Sequence, residues 1–364
     1  MQYSLEKIYK NKKILITGHT GFKGIWLTLW LLKLKAKIIG FSINEPSEPS
    51  TFKLMGLKNK IIDIRGDIRN FEKLDEVVKK YRPEIIFHLA AQSLVIESFY
   101  DPRYTLTTNI FGSLNVLELV RKYKFIKSTV IITSDKAYKN KELRRGYHEK
   151  DELFGKDPYS ASKSVVENLC YSYFNSFFNN TRKNIATARA GNVIGGGDWS
   201  KNRIIPDYYK NKLLKKKLII RNPHSTRPWQ HVLEPVGGYL LLAAKLLRGN
   251  KKVKCESFNF GPSYSLKNKT VLNIINAIGR KDDYKLKKKK NFYTKESILL
   301  QLDCSKVNKI LNWYPILNFK ETCQFVKDWY ENFLNKKNNL FKFSNDQIDL
   351  YLKISKNKKI KWLK

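Results

Sequence analysis

The chain has 364 residues, 42% of them hydrophobic, and its 70 Lys and Arg against 32 Asp and Glu leave a formal net charge of +38. That length suits two lobes of roughly 150–200 residues with a sizeable core, and apolar runs such as Ile14-Leu15-Ile16 and Ile85-Ile86-Phe87 fit strands and are far too short to span a bilayer. No membrane association is predicted, and residues 3–12 lack the apolar segment and cleavage site of a signal peptide, which predicts a cytoplasmic location.

Lysines recur in nearly every segment, with runs at 215–217 and 287–290 and a lysine-rich stretch after Asn335. This pattern reads as a solvated surface rather than one basic, aromatic-interleaved nucleic-acid face, so no nucleic-acid partner is predicted, although an anionic nucleotide would still be attracted. A nucleic-acid-binding protein would account for the charge and leave the residues below unexplained. Cys170, Cys255, Cys304 and Cys323 have no paired spacing, which predicts reduced thiols and neither disulfide nor zinc. His88, His224 and His231 show no metal-ligand spacing, and no metal site is expected.

In chain order, strand-like segments fall at 13–17, 37–42, 61–65, 84–90, 129–134 and 185–190, separated by amphipathic stretches such as 26–34 and 71–81. Apolar, β-branched runs without polar alternation suit strands covered on both faces, and their alternation with helices implies right-handed crossovers. The predicted fold is α/β: a doubly wound parallel Rossmann sheet over 1–190 with a smaller α/β C-terminal substrate lobe over 191–353. Past Gly191 the rhythm shifts to Gly195-Gly196-Gly197 and to punctuation by Pro206, Pro223, Pro228, Pro235 and Pro262. A helix over 235–247 and a strand over 256–260 predict one return to the sheet within 235–261. Residues 354–364 read as a basic, mobile tail.

Directly after the first strand comes Gly18-His19-Thr20-Gly21-Phe22-Lys23-Gly24. Glycines there permit a tight turn and close backbone approach, and the following helix start offers unpaired N–H donors to a pyrophosphate. After the second strand, Ser42-Ile43-Asn44-Glu45-Pro46 supplies no arginine for a 2′-phosphate and no acidic residue at the strand tip, which favours NAD. Asp67, followed by Ile68, could accept from an adenine amino group or simply cap a helix. Small residues in Leu89-Ala90-Ala91 would let a cofactor lie across the strand tips.

Tyr159 and Lys163 share one helical face by their i, i+4 spacing. Spacing alone is poor grounds, since Tyr3/Lys7, Tyr9/Lys13, Tyr123/Lys127 and Tyr208/Lys212 match it equally. Context separates the pair: Asp157-Pro158 starts a helix, and Ser134 ends a buried strand on the side of the sheet where ligands bind. A phenol of ordinary pKa about 10 needs a nearby cation to act as a base at neutral pH. Ser134 could hold a reacting hydroxyl close to it.

Taken together, the glycine turn, Ser134-Asp135-Lys136, Asp157-Pro158-Tyr159-Ser160-Ala161-Ser162-Lys163 and Arg227-Pro228-Trp229-Gln230-His231-Val232 resemble the sugar-nucleotide 4,6-dehydratases of the extended short-chain dehydrogenase class. Gly191-Asn192-Val193-Ile194-Gly195-Gly196-Gly197-Asp198-Trp199 is similar to the CDP-glucose branch. The resemblance implies NAD held by Gly18, His19, Gly21, Phe22, Lys23, Gly24, Asp67, Ile68, Leu89, Ala90, Ala91, Tyr159 and Lys163. It further implies oxidation at C4 by Tyr159, loss of water across C5 and C6, return of hydride to C6, and a homodimer or higher homo-oligomer. Asp135 is then the acid. Lys136 stands where related enzymes carry a glutamate base, and an ordinary surface ion pair is its alternative. Arg227, with Asn192 and Arg203 as helpers, would meet the nucleotide diphosphate. A sugar-nucleotide 4-epimerase shares Ser134, Tyr159 and Lys163 without needing the acid.

Overall fold

The computed structural model describes residues 5–143, 145–179, 181, 183–262, 269–286 and 300–363. The lysine run at 287–290 lies outside them. Seven strands form one parallel sheet: β1 (Lys13–Thr17), β2 (Lys37–Ser42), β3 (Ile62–Arg65), β4 (Ile85–His88), β5 (Ser128–Ile132), β6 (Ile185–Ala190) and β7 (Glu256–Phe260). Their spatial order is β7-β6-β5-β4-β1-β2-β3, with Thr17 paired to Phe41 on one side and His88 on the other. The winding therefore reverses between β1 and β4, and a crevice opens there outside the carboxyl ends of both strands.

Period-two alternation puts β1 residues into two different cores. Ile14 and Ile16 face the layer of α1 (Phe22–Lys33) and α6 (Leu233–Leu247), with Trp26, Leu29, Leu240 and Leu242. Leu15 faces the opposite layer of α2 (Phe71–Tyr81), α3 (Gly112–Lys122) and α4 (Pro158–Tyr173), with Leu74, Val116 and Val166. Helices on both faces explain why these strands read as unbroken apolar runs. The start of α2 is fixed by the Asn70 side chain accepting from Lys73 N–H, and its end by Arg82 in the left-handed region.

The expected return to the sheet is made by α6 and by β7, which pairs parallel to β6 from Glu256↔Ala186 to Phe260↔Ala190. Beyond Gly191 lie α5 (Ile204–Leu213) and three short strand pairs, Val193–Ile194 with Gln230–His231, Leu218–Ile220 with Tyr284–Leu286, and Thr226–Arg227 with Lys269–Thr270. Two expectations change. First, α7 (Phe319–Leu334) and α8 (Leu340–Asn357) join the core of the α1 and α6 layer, where Trp329 and Tyr351 are buried together with Trp30. Second, residues 354–364 are no loose tail: α8 runs to Asn357, and the buried Trp362 donates to the Tyr314 carbonyl at 2.9 Å. One tryptophan among lysines carried too little apolar signal to announce this.

Glu234 on α6 ties these layers together. Its carboxylate accepts from the backbone N–H of Ile316 (2.9 Å) and Leu317 (2.7 Å) and from the Tyr351 hydroxyl (2.7 Å). Glu234→Ala leaves three buried donors without acceptors, at about 1 kcal/mol or more apiece. The expected result is a loss of about 3 kcal/mol or more, read as a lower denaturant midpoint in urea.

Candidate active site

The glycine turn lies at the switch point. Gly18 has φ +78°, and a Cβ there would stand 2.7 Å from Ala90 N; a Cβ on Gly24 would stand 2.2 Å from the Gly18 carbonyl oxygen. Leu89 N–H donates to the Thr17 carbonyl at 3.0 Å, and Ala90 N–H to the Thr17 hydroxyl at 3.3 Å, so the tips of β1 and β4 form a single floor. α1 begins at Gly21 with no side-chain cap, leaving its first N–H groups and the positive end of its dipole to an anion. Gly18→Ala combines a disfavoured φ with a backbone collision. We expect it to cost about 2–4 kcal/mol in a denaturation curve and to strip bound dinucleotide from the purified protein.

The proposed cofactor residues occupy different shells of this floor. Gly21, Phe22, Lys23, Leu89, Ala90 and Ala91 are partly exposed along the cleft. The His19 imidazole is fully buried between Ser42 Oγ (2.9 Å) and Asp63 Oδ1 (2.8 Å), so only its main chain belongs to the turn's surface. Ile68 is buried against Gly112. The Asp67 carboxylate is engaged by Arg69, which with the local hydrogen bonds holds it below the usual carboxylate range despite partial burial. The corner beyond β2 holds a residue that no motif announces: Arg65, from β3, pairs with Glu45 (2.8 Å) and Asp63 (2.9 Å). Both carboxylates engage the guanidinium, which leaves it less able to meet a 2′-phosphate.

Across the cleft, α4 starts with the Asp157 side chain accepting from Ser160 N–H at 2.9 Å and Pro158 at its first position. Ser164 Oγ donates to the Ala137 carbonyl at 2.7 Å, clamping the helix to the turn that carries Ser134, Asp135 and Lys136. β5 ends at Ile132, short of the expected 134. Ser134 instead caps a helical turn over Asp135–Ala137, its hydroxyl donating to Asp135 Oδ1 at 3.1 Å and accepting from Lys136 N–H at 3.2 Å.

Tyr159 is 8% exposed and Lys163 6%. Burial pushes the phenol above its ordinary value, with Asp135 and Asp157 adding to the rise, while the Ser134 hydroxyl and Arg203 oppose it. Burial also pushes the Lys163 ammonium down to about 8, against the pull of Glu167 one turn further along α4. Among the described residues neither Lys163 nor Lys23 has a hydrogen-bond or ion-pair partner, and Lys163 is not bonded directly to the phenol. Two such ammonium groups beside an uncapped helix start fit the ribose hydroxyls and phosphates of a dinucleotide.

Glu167 was invisible as a site element in sequence. Its carboxylate accepts from Arg189 (2.8 Å), Thr187 (2.9 Å), Ser257 (3.1 Å) and Thr133, anchoring α4, one turn beyond Lys163, to β6, β7 and the residue just past β5. The rival Tyr/Lys spacings are spent on packing: Tyr9 donates to the Leu240 carbonyl and Tyr123 to Asp75, Tyr208 bonds Asp283, and Tyr3 lies outside the described residues.

Asp135 is 4% exposed. Burial raises its carboxyl pKa against the lowering influence of Lys136, Ser134 and Lys23. A Cβ at Gly191 would meet Asp135 Oδ2 at 2.9 Å and Pro228 Cγ at 3.4 Å, so the chain segments that carry Asn192 and Arg227 pass beside Asp135. Asn192 accepts through its carbonyl from Gln230 N–H at 3.1 Å. Arg227 donates to the Thr226 carbonyl at 2.7 Å. Arg203, at the start of α5, pairs with Asp198 at 2.9 Å and faces Tyr159. His88, bonded to Thr17 (2.8 Å) and Ser113 (3.0 Å), and His231 are both held neutral, at about 3, chiefly by burial.

Residues 15–326 match the family described as GDP-mannose 4,6 dehydratase. The chain belongs to that family. Within the 4,6-dehydratases, this chain is 41% identical over 333 residues to a CDP-glucose 4,6-dehydratase of Salmonella typhimurium, covering 90% of itself and 92% of that relative. Two solved structures share the dehydratase fold at lower identity. A UDP-glucose 4-epimerase of Thermotoga maritima, 22% identical, has TM-score 0.74 over 88% of this chain and 99% of that one. A dTDP-glucose 4,6-dehydratase of Bacillus anthracis in complex with NAD, 24% identical, has TM-score 0.70 over 88% and 97%.

Proposed function

We infer that the protein is an NAD-dependent hydro-lyase converting CDP-glucose to CDP-4-keto-6-deoxyglucose and water. The observation that carries this reading is the buried Asp135 beside Ser134 and Tyr159, because an epimerase needs the hydroxyl and the phenol but no acid at a leaving group. The 41% identity to a CDP-glucose 4,6-dehydratase supports cytidine as the base. NAD is assigned to the floor formed by Gly18, the helix start at Gly21–Gly24, Leu89, Ala90 and Ala91, with Asp67 and Ile68 at the adenine end and Tyr159 and Lys163 at the nicotinamide ribose. Asn192, Arg203 and Arg227 are assigned to the nucleotide diphosphate.

Held by the glycine turn, the floor of Leu89, Ala90 and Ala91, Tyr159 and Lys163, NAD would supply the hydride chemistry, oxidation at C4 and reduction at C6. Tyr159 removes the O4 proton, steadied by Ser134 and by the positive field of Arg203 and Lys163. Ionising a phenol of pKa about 10 at pH 7 costs roughly 4 kcal/mol. A cation at about 4 Å in a medium of effective dielectric about 20 would return a similar amount, and because burial raises the Tyr159 phenol further, more than one favourable partner is called for. The C4 ketone acidifies the C5 proton. Asp135, whose proton burial helps to hold, gives it to the C6 hydroxyl, which leaves as water, and the C5 proton passes to the Lys136 amine or, where Lys136 as ammonium stabilises the enolate, to water. Lys136 makes no ion pair among the described residues, which supports a role inside the cleft.

The exposed Tyr100, Phe111, Val165 and Tyr171 sit on mutually packed helices and support a homodimer through that face. Among the described residues no helix is long and apolar enough to cross a membrane. The deciding experiment incubates the purified protein with CDP-glucose, UDP-glucose and dTDP-glucose. A 4-keto-6-deoxy product from CDP-glucose is expected; a 4-epimer formed without loss of water would overturn the reading.

A further inference from the structure

We propose that Ser164, on the second turn of α4, is a positioning residue for the elimination step: its hydroxyl grips the main chain of the turn that carries Asp135 and Lys136 and sets those two side chains against a sugar held at O4 by Tyr159 and Ser134. This inference rests on the dehydratase reading. Ser164 is 5% exposed, and its hydroxyl works between separate pieces of chain. It donates to the Ala137 carbonyl at 2.7 Å, lies 3.1 Å from the Ser160 carbonyl of its own helix, and accepts from the Gly155 N–H at 2.9 Å. Ala137 directly follows Lys136 and Ser164 directly follows Lys163, so the bond joins the two stretches of chain that bear the reacting groups right beside those groups. A Cβ on Gly155 would stand 2.1 Å from the Ser160 carbonyl carbon. That segment therefore lies flat on α4, and its N–H keeps the Ser164 hydroxyl turned toward Ala137.

The two ends of the 134–137 turn are held differently. On the Ser134 side, Thr133 N–H donates to the Ala188 carbonyl at 2.9 Å and the Thr133 hydroxyl donates to Glu167, so the sheet and α4 both fix it. On the far side, Tyr138 is tethered only at the tip of its side chain, where the hydroxyl donates to Asn259 at 2.9 Å and accepts from Arg189 at 2.6 Å. Between these anchors the turn closes on itself through Ala137 N–H to the Ser134 carbonyl and Tyr138 N–H to the Asp135 carbonyl, both at 3.2 Å. Among the described residues, Ser164 makes the one hydrogen bond from an α4 side chain to the main chain of this turn. Losing it leaves the buried Ala137 carbonyl without that donor, which the chain can answer only by moving. Asp135 and Lys136 then shift, while Ser134 stays with β6.

Oxidation at C4 draws on Tyr159 and Ser134. Elimination draws on Asp135, whose O–H proton passes to the C6 hydroxyl as the C6–O bond breaks and water leaves with the electron pair. It also draws on the Lys136 side, where the C5 proton departs and its bonding electrons form the C5=C6 bond conjugated to the C4 ketone. Both groups must reach a sugar already fixed from α4, and a displacement of about 1 Å is enough to cost on the order of 100-fold in rate.

The test uses the full-length enzyme with its bound NAD and follows single turnovers of CDP-glucose, in which reduced nicotinamide appears on oxidation and disappears after elimination. Ser164→Ala is expected to leave the first phase within about threefold of wild type and to slow the second on the order of 10- to 100-fold, with wild-type NAD content. Ser164→Cys, a weaker donor of similar size, should fall between the two and stands in for alanine if that variant does not fold. Ser128→Ala is the matched control. The Ser128 hydroxyl is also buried and donates to the Ala243 carbonyl at 2.9 Å, but at the end of β5 remote from the turn, so this variant should lower the denaturation midpoint and keep the wild-type ratio of the two phases. Both phases slowing in proportion in Ser164→Ala would reduce Ser164 to a structural residue, and an unaltered second phase would show that the turn is held without it; either result overturns the proposal. The same split in Ser128→Ala would assign the effect to lost stability and overturn it too. Wild-type enzyme without any oxidation phase would sink the dehydratase reading itself, whereas two normal phases in wild type leave that reading standing whatever the Ser164 variants do.

Discussion

Tyr159→Phe is expected to lower turnover of CDP-glucose by about 10³-fold or more, within the range removed when a positioned acid–base group is lost. The substitution deletes one oxygen from a side chain that is 8% exposed and keeps the ring that fills the space, so circular dichroism and NAD content should match wild type. Burial already holds the phenol proton more tightly than in water, and with the hydroxyl gone no other group facing the site offers an equivalent base: Ser134 is a weaker acid still, and Lys163 is held one turn further along the helix. Neither reduced nicotinamide nor keto product should accumulate in a single turnover. Turnover within about tenfold of wild type would mean that the proton leaves by another route.

Asp135→Asn separates the two halves of the reaction. The amide keeps the size and a hydrogen-bonding oxygen toward Ser134, whose hydroxyl donates to Asp135 at 3.1 Å, so oxidation at C4 should proceed and reduced nicotinamide should build up. An amide has no proton to give the leaving hydroxyl, and elimination should slow on the order of 10²- to 10³-fold. In the wild-type enzyme the same logic fixes the pH dependence. Burial raises the Asp135 pKa, so the active protonated form survives to higher pH than an ordinary carboxyl and is lost as pH rises through that raised value. The elimination rate should therefore fall on the alkaline side, and in the asparagine variant that limb should vanish from the residual rate. Full turnover by Asp135→Asn would exclude the acid role.

The sheet and the turn at its switch point were legible from local sequence. β1, β2, β6 and β7 begin and end where expected; for β1 the apolar run itself marks the strand, because a strand covered on both faces is apolar almost throughout. α2 likewise follows its local cap. Motif context also chose Tyr159 and Lys163 over four equally spaced rivals, and the described rivals carry hydroxyls consumed by Leu240, Asp75 and Asp283. What each charge faces was settled only when the chain folded. Folding buried the His19 ring beneath the turn, brought Arg65 of β3 into the corner beyond β2, paired Glu167 of α4 with Arg189 of β6, and packed the last helices into the core of the first ones. Electrostatic effects depend on distance and burial among residues far apart in the chain, so they leave no local trace in sequence, whereas period and capping act within a few residues and do.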